Sequence, residues 1–169
     1  MQRILSAMVT GWLVLTSLTA SAKTGDSAAI NVTIKAIART CAFEQEIYTT
    51  NLPAVGTEAF LTAGIAGVTE VPVTLNCQNG VENVSIVPSG HAAEGDVTAF
   101  KNTGTAKNVG LRLLDNHNGV LTPDGDSLVR LTPAEGQASY TFRAGYVPTG
   151  GPVSAGTFLA QVTLSIAYQ

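Results

Sequence analysis

The sequence predicts an all-β domain built as an antiparallel sandwich, and three observations predict it. Short runs in which apolar and polar residues alternate recur along the chain, as expected for strands with one buried face. No window shows a convincing helical period over ten residues. Turn-forming residues separate the runs, at Asn79-Gly80, Asn118-Gly119, Pro123-Asp124-Gly125 and Gly150-Gly151-Pro152. Many short strands joined by close turns are typical of a sandwich.

The first 22 residues are expected to be a signal peptide and not part of this domain. Arg3 supplies a positive start, residues 4–18 are apolar, and Ala20-Ser21-Ala22 has the small residues of a cleavage site. A transmembrane anchor is the alternative, but the apolar stretch is short for a bilayer and polar residues follow at once. We expect cleavage between Ala22 and Lys23. The mature chain, 23–169, has no other stretch that could span a membrane.

Six alternating runs are the predicted strands. In the second of them, for example, Val71, Val73 and Leu75 share one face. Residues 52–68 have no clear period and allow either a strand with an irregular connection or a short helical turn. The predicted strands cover residues 30–38, 70–77, 82–90, 108–115, 137–147 and 158–169.

The chain has two cysteines, Cys41 and Cys77. In an exported protein an even pair of cysteines favours a disulfide, which would close a long loop. A metal pair or two free thiols are the alternatives. A metal site would need further ligands, and the only histidines are His91 and His117, at no recognisable spacing.

Charge and motifs argue against nucleic-acid binding and against catalysis. Without Arg3, the mature chain keeps 8 Lys and Arg residues against 12 Asp and Glu, a formal net charge of −4 with no basic run. Both histidines lie in turn contexts, and no catalytic or phosphate-binding motif is present. Asp124-Gly125-Asp126 does not fit the EF-hand calcium pattern and is more typical of a turn. We therefore expect no enzyme activity, no cofactor and no metal.

The two ends of the mature chain are both strand-like and apolar. The C-terminal run carries no Lys, Pro or other device that normally protects an edge strand. Before Cys41, the run 28–38 alternates in the same way and lies outside the segment closed by the cysteines. The simplest explanation is strand addition between molecules, in which one end completes the other in a neighbour. The alternating residues are Ile30, Val32, Ile34, Ala36 and Ala38 at the front, and Phe158, Ala160, Val162, Leu164, Ile166 and Tyr168 at the back.

The whole mature chain resembles the chaperone–usher pilins, the subunits of type 1-like fimbriae of Gram-negative bacteria. The cysteines have the spacing of that family, with Cys77 in the context "VTLNC". The stretches "NVGLRLLDNHNGVL" and "FRAGYVPTGGPVSAGTF" are similar to its central and penultimate segments. The C-terminus is similar to its β-zipper signature, with Gly156 at the fourteenth position from the end, alternating apolar residues, and Tyr168 as penultimate residue.

The resemblance implies an incomplete immunoglobulin-like sandwich that lacks its last strand, completed by a donor strand from another chain. Residues 23–40 would be the N-terminal donor-strand extension and residues 41–169 the pilin domain. The donor residues would be the five at the front, and Gly156 with the six at the back would form the acceptor groove and chaperone-binding strand. Implied partners are a periplasmic pilus chaperone, an outer-membrane usher and neighbouring pilin subunits. The protein would pass through the periplasm to a fimbrium on the cell surface, and residues 101–115 are closer to minor or adaptor subunits.

One position departs from the family pattern. Donor strands of pilins usually carry a Gly about seven residues before the first cysteine, and Ile34 stands there in this chain. Either Ala36 takes the role of this Gly, with the register of the donor strand shifted by two residues, or the acceptor groove differs from that of the family. A slide by two residues keeps the same face apolar, whereas a slide by one inverts it.

Two alternatives remain on the residues alone. Residues 28–38 could be an ordinary edge strand of their own sheet, or could complement their own domain. In function, the chain could instead be a secreted single-domain adhesin or a carbohydrate-binding β-sandwich module. Such modules often have exposed aromatic platforms, whereas most aromatic residues here fall in strand phase.

Overall fold

The computed structural model describes residues 40–62, 64–78 and 80–168. They form ten strands and one short 3₁₀ helix. The expected donor residues and the expected signal peptide lie outside the described residues. The elements are β1 Cys41–Phe43, the 3₁₀ helix Thr57–Leu61, β2 Ala66–Cys77, β3 Val84–Ser89, β4 Ala92–Ala93, β5 Asp96–Lys101, β6 Val109–Leu114, β7 Val120–Leu121, β8 Val129–Leu131, β9 Gln137–Pro148 and β10 Thr163–Tyr168.

The strands form two sheets in which all pairs are antiparallel. The larger sheet has the order β1-β2-β9-β6-β5-β4, with β7 also paired to β6. The smaller sheet has the order β10-β3-β8. The predicted antiparallel β architecture is confirmed. No helix in the described part of the chain is long and apolar enough to cross a membrane.

Four predicted strands occur close to their expected positions, as β2, β3, β6 and β9. Residues 52–68 contain both features that the sequence allowed, a helical turn at Thr57–Leu61 and the start of β2 at Ala66. The pairing of β2 with β9 is irregular between Ala66 and Thr69, where Gly67 has a φ of 59°. An irregular pairing of this kind obscures the two-residue period that would have marked the strand.

The C-terminal strand is shorter than predicted. Regular pairing covers Thr163–Tyr168, whereas the sequence predicted a strand from residue 158 onward. Ala160 instead forms an isolated bridge with Asn102, and the Leu159 carbonyl accepts a hydrogen bond of 2.7 Å from the Thr103 amide. The first part of the run therefore bonds to the segment after β5, and only the second part pairs with β3.

The core fills the space between the sheets. Phe100, Phe142, Leu75 and Ile86 are among the largest fully buried side chains. These residues come from both sheets, and alternation places each on the inner face of its strand. Burial of several such side chains, each at about 1.5–3 kcal/mol, is the main favourable term that holds the sheets together.

The predicted turns use residues that tolerate a positive φ. Asn118, between β6 and β7, has a φ of 68°, and the Asp115 carboxylate accepts the backbone N–H groups of His117 and Gly119 in the same turn. His117 is therefore part of a tight hairpin connection. The turn predicted at Asn118-Gly119 is therefore confirmed.

Candidate strand-binding groove

An apolar groove of about 730 Å³ runs between two walls of the sandwich. One wall is the C-terminal run, and the other is the segment 43–52 that follows β1. The floor is the inner face of the larger sheet, so it is built from strands that the alternation had predicted. The floor residues are Val71 and Val73 of β2, Leu111 and Leu113 of β6, and Phe142, Ala144 and Tyr146 of β9.

The C-terminal wall contains four of the seven residues predicted for the acceptor side. Phe158, Ala160, Val162 and Leu164 line the groove. The Phe158 ring also packs edge-on against Tyr146, with ring centroids 4.8 Å apart. All four pack against the buried core while remaining partly exposed. This wall is therefore an apolar surface that the rest of the domain supports but does not cover.

Ile166 and Tyr168 lie beyond the groove on the same face of β10. Ile166 packs against the core, while Tyr168 has 48% of its surface exposed. The Tyr168 hydroxyl accepts a hydrogen bond of 2.7 Å from the Cys41 amide and donates one of 3.0 Å to the Cys41 carbonyl. β10 and β1 belong to different sheets, so this side chain joins the two walls at one end.

Gly156, the remaining predicted residue, does not line the groove. A Cβ atom at this position would lie 2.4 Å from the backbone nitrogen of Ala106. The neighbouring Thr157 carbonyl accepts a hydrogen bond from the Ala106 amide. Gly156 therefore allows two backbone segments to approach closely where the C-terminal run begins, and so it positions the wall indirectly.

The opposite wall was not predicted from the sequence. Residues 44–52 form no regular strand, and Ile47 has 79% of its surface exposed. Tyr48 fixes this segment, because its hydroxyl donates to the Thr74 carbonyl at 3.2 Å and accepts from the Thr74 amide at 3.4 Å. Phe43, Tyr48 and Leu52 pack against the core. Their spacing matches neither a strand nor a helix, so no periodic signal marked them.

The predicted disulfide between Cys41 and Cys77 is confirmed. The two residues lie directly opposite each other in the β1–β2 pair and are 36 positions apart in sequence. The bond fastens β1, and with it the start of the second wall, to the edge of the larger sheet. The loop it closes includes the whole segment 43–52.

The described strands pair with only one edge of β10. β10 pairs with β3 on one side, from Thr163↔Ser89 to Tyr168↔Val84. Among residues 40–62, 64–78 and 80–168, no strand pairs with its other edge. An uncovered strand edge beside an apolar groove offers both unpaired backbone groups and pockets for side chains. That combination is what strand addition requires.

The electrostatics of the domain do not indicate a catalytic or metal centre. In the floor of the groove, burial raises the pKa of the Tyr146 phenol, so that ring stays neutral at physiological pH. The described residues contain no group of three or more His, Cys, Asp or Glu side chains that could hold a metal ion. Asp124 accepts hydrogen bonds from the Thr122 hydroxyl and from the Asp126 amide, which lower its pKa and close a turn.

A second ionic feature lies on the outside of the larger sheet. Arg112 pairs with Asp96 at 2.6 Å and donates to the Thr98 hydroxyl at 2.8 Å. Burial acts to raise the pKa of Asp96, but hydrogen bonds from Thr98 and the charge of Arg112 outweigh it and hold that pKa below its ordinary value. This pair links β5 to β6 and does not face the groove.

The aromatic side chains of the described residues do not form an open platform. Among the described aromatic residues, Tyr168 is the only one in the exposed range, and its hydroxyl is bound to Cys41. Tyr140 and Phe142 pack edge-on with ring centroids 4.9 Å apart. These residues therefore do not form the exposed stacking surface that is expected of a carbohydrate-binding module.

Comparison with known proteins shows similarity of sequence and of fold. The family model described as "Fimbrial protein" matches residues 28–169. The chain is 25% identical over 163 residues to Protein FimG of Escherichia coli (strain K12), which covers 94% of this chain and 96% of that protein. It is similar in structure to the P pilus rod subunit PapA, with a TM-score of 0.65 and 16% identity, over 76% of this chain and 99% of that one. A type I fimbria protein of Burkholderia pseudomallei is similar with a TM-score of 0.58 and 21% identity, over 78% of this chain and 100% of that one.

Proposed function

The chain belongs to the fimbrial protein family, and from this premise we propose that it is a structural subunit of a chaperone–usher fimbrium that polymerises by donor-strand exchange. The observation that carries the proposal is the groove, which has an apolar floor, two apolar walls and an edge of β10 that no described strand covers. A β-strand with one apolar face is the ligand whose shape and hydrogen-bonding groups match such a site.

The incoming strand comes first from a periplasmic chaperone and then from the next subunit, after transfer at an outer-membrane usher. The chain's own extension, residues 23–40, acts as donor for the preceding subunit. Its apolar residues Ile30, Val32, Ile34, Ala36 and Ala38 provide the alternating face. Residues 1–22 are removed on export, and the finished protein lies in a fimbrium on the cell surface. A minor or adaptor position remains part of this proposal.

The energetics favour exchange only because the groove is already built. Burial of Ile30, Val32 and Ile34 contributes about 6 kcal/mol, at about 2 kcal/mol each. Each new backbone hydrogen bond adds about 1 kcal/mol net. Ordering a free extension costs on the order of 1–2 kcal/mol per residue, which is of the same size as these gains. A donor that covered a flat surface would not recover this cost, whereas a donor that completes an open core also shields the floor and both walls.

The test separates the two ends of the chain. In a fimbriated strain, Ile34→Asp should abolish donation by this subunit while leaving its capture by the chaperone intact. An unpaired carboxylate would have to enter an apolar groove or take up a proton, at a cost of several kcal/mol. Thr33→Asp is the matched control, because in the proposed donor strand alternation would place residue 33 on the face opposite to residue 34. The readouts are co-purification with the chaperone and incorporation into fimbriae. If Ile34→Asp assembles as well as wild type, residues 28–38 are not the donor strand.

A further inference from the structure

The hydrogen bonds between Tyr168 and Cys41 have a consequence for strand addition. The phenol hydroxyl bonds to both backbone groups of Cys41. It accepts a hydrogen bond from the Cys41 N–H at 2.7 Å and donates one to the Cys41 C=O at 3.0 Å. The two residues are 127 positions apart and belong to different sheets. No other side chain among the described residues joins β10 to β1 in this way.

The backbone groups that Tyr168 binds are those at the open edge of β1. In an antiparallel ladder, residues that bond to the partner strand alternate with residues whose N–H and C=O point away from it. On one side of Cys41, the Thr40 carbonyl accepts the Gln78 amide at 2.9 Å, and further along, the Glu44 amide donates to the Thr74 carbonyl at 2.9 Å. Cys41 lies at an odd number of residues from Thr40 and from Glu44, so its N–H and C=O point away from β2. Its amide and carbonyl are therefore the pair that a strand added to this edge would use.

The groove ends where this bridge begins. On the β1 side the lining starts at Phe43, and on the β10 side it stops at Leu164. Beyond these residues, Tyr168 spans from one wall to the other. A strand lying in the groove must either end at this point or displace the phenol from Cys41.

We propose that Tyr168 is a stop that closes one end of the groove and limits how far an incoming strand can pair along β1. The inference rests on the proposed function, because it concerns the strand that enters during assembly. Alternation of apolar residues does not fix the register by itself, since a slide by two residues keeps the same face inward. A closed end removes that freedom. The bridge persists after assembly, and the ladder between β1 and the incoming strand begins at Phe43.

Hydrogen exchange in assembled fimbriae tests the stop. Fimbriae would be purified from cells producing the wild-type chain, Tyr168→Phe or Tyr140→Phe, and exchange of the Cys41 amide would be followed by fragmentation mass spectrometry. Tyr140→Phe is the matched control, because its hydroxyl accepts from the Asn116 amide at 2.9 Å in a surface turn. We expect the Cys41 amide to exchange about fivefold faster or more in Tyr168→Phe, the factor that corresponds to one lost hydrogen bond of about 1 kcal/mol. In Tyr140→Phe only the Asn116 amide should change.

Each outcome decides the matter. If the Cys41 amide stays equally slow in Tyr168→Phe fimbriae and the same amides of the incoming strand are protected as in wild type, the strand already pairs at Cys41 in wild type, and the stop is wrong while the proposed function stands. If the incoming strand instead gains a protected amide only in Tyr168→Phe, the hydroxyl limits the pairing, and the stop stands. If fimbriae form but never contain this chain, the proposed function fails, and the stop fails with it. If Tyr168→Phe lowers the amount of assembled subunit, the exchange of the remaining assembled chains still gives the answer, because the ring is kept and only the hydroxyl is lost.

Discussion

Replacing Leu164 by Asp should disable the groove while leaving the rest of the domain folded. Leu164 is partly exposed at the groove wall and packs against the core. Complete burial of a leucine is worth about 2 kcal/mol, so a half-buried side chain contributes about 1 kcal/mol to the subunit alone. When a strand covers the groove, the leucine would gain the other half of its burial, about 1 kcal/mol, whereas the new carboxylate must be buried without a partner or take up a proton, which costs at least about 3 kcal/mol more. Together these changes amount to about 4 kcal/mol, or a weakening of strand binding by about a thousandfold.

The assay is co-purification of the subunit with its periplasmic chaperone, followed by its incorporation into fimbriae. Ser165→Asp is the control, because Ser165 is the exposed neighbour on the opposite face of β10 and pairs with Val87 through its backbone. We expect loss of capture for Leu164→Asp and normal capture for Ser165→Asp. Normal capture of Leu164→Asp would refute the assignment of this wall to strand binding, whatever the fold.

Three further predictions concern stability. Gly156→Ala should lower the melting temperature, because the added Cβ would lie 2.4 Å from a backbone nitrogen. Gly64→Ala is the control and should leave the melting temperature unchanged, because nothing lies within 4 Å of a Cβ at that position. Equal melting temperatures of the two variants would contradict the close approach at Gly156. Replacing both Cys41 and Cys77 by Ser should cost about 4 kcal/mol, as expected for a closed loop of this length, measured by urea unfolding of the purified chaperone-free chain against wild type. Asp96 has a lowered pKa in the folded domain, so its contribution to the free energy of unfolding is present above the ordinary carboxyl pKa and is lost as the pH falls through the lowered value. In Asp96→Asn the free energy of unfolding should therefore fall less on acidification. An unchanged pH dependence would exclude this contribution of Asp96.

The strands of the groove floor could be predicted from the sequence, and the reason is physical. Val71 and Val73, or Leu111 and Leu113, lie in strands paired on both sides, so the two-residue period is complete and the turns beside them carry Gly or Asn. The same period in the C-terminal run predicted an exposed edge, because the run carries none of the residues that normally protect an edge strand.

The second wall of the groove could not be predicted because its order comes from long-range contacts. Tyr48 holds its segment in place through a hydroxyl bound to Thr74, 26 positions away. β1 contains only three residues and depends on the disulfide and on β2. The bridge from Tyr168 to Cys41 spans 127 positions. A pattern within one segment carries no information about such contacts, so the period of the C-terminal run predicted an inward-facing Tyr168 but not its partner.

The position of Cys41 also bears on whether the extension could fill its own groove. Cys41 lies beside Tyr168, at the closed end, and from residue 38 to residue 41 the chain can reach only about 11 Å. The run from Phe158 to Tyr168 is about 30 Å long at the rise of an extended strand. The chain's own extension could therefore enter its groove only parallel to β10, with residue 38 near Tyr168 and residue 28 near Phe158. A neighbour's strand has no such restraint and can enter antiparallel, which continues the pattern of the sheet β10-β3-β8.

This difference in direction gives a measurable prediction. With cysteines at Asn31 and Gln161 of one chain, the parallel arrangement brings the two positions close together, and exchange between subunits separates them. In the chaperone-free mature chain, studied as a dilute monomer so that only its own extension is within reach, we expect a disulfide within one chain. In fimbriae we expect the two introduced cysteines to remain unlinked within each chain, because residues 28–38 have moved to the preceding subunit. An intramolecular 31–161 disulfide in most of the assembled chains would show that the extension complements its own domain, and the subunits would then have to be joined by some other contact.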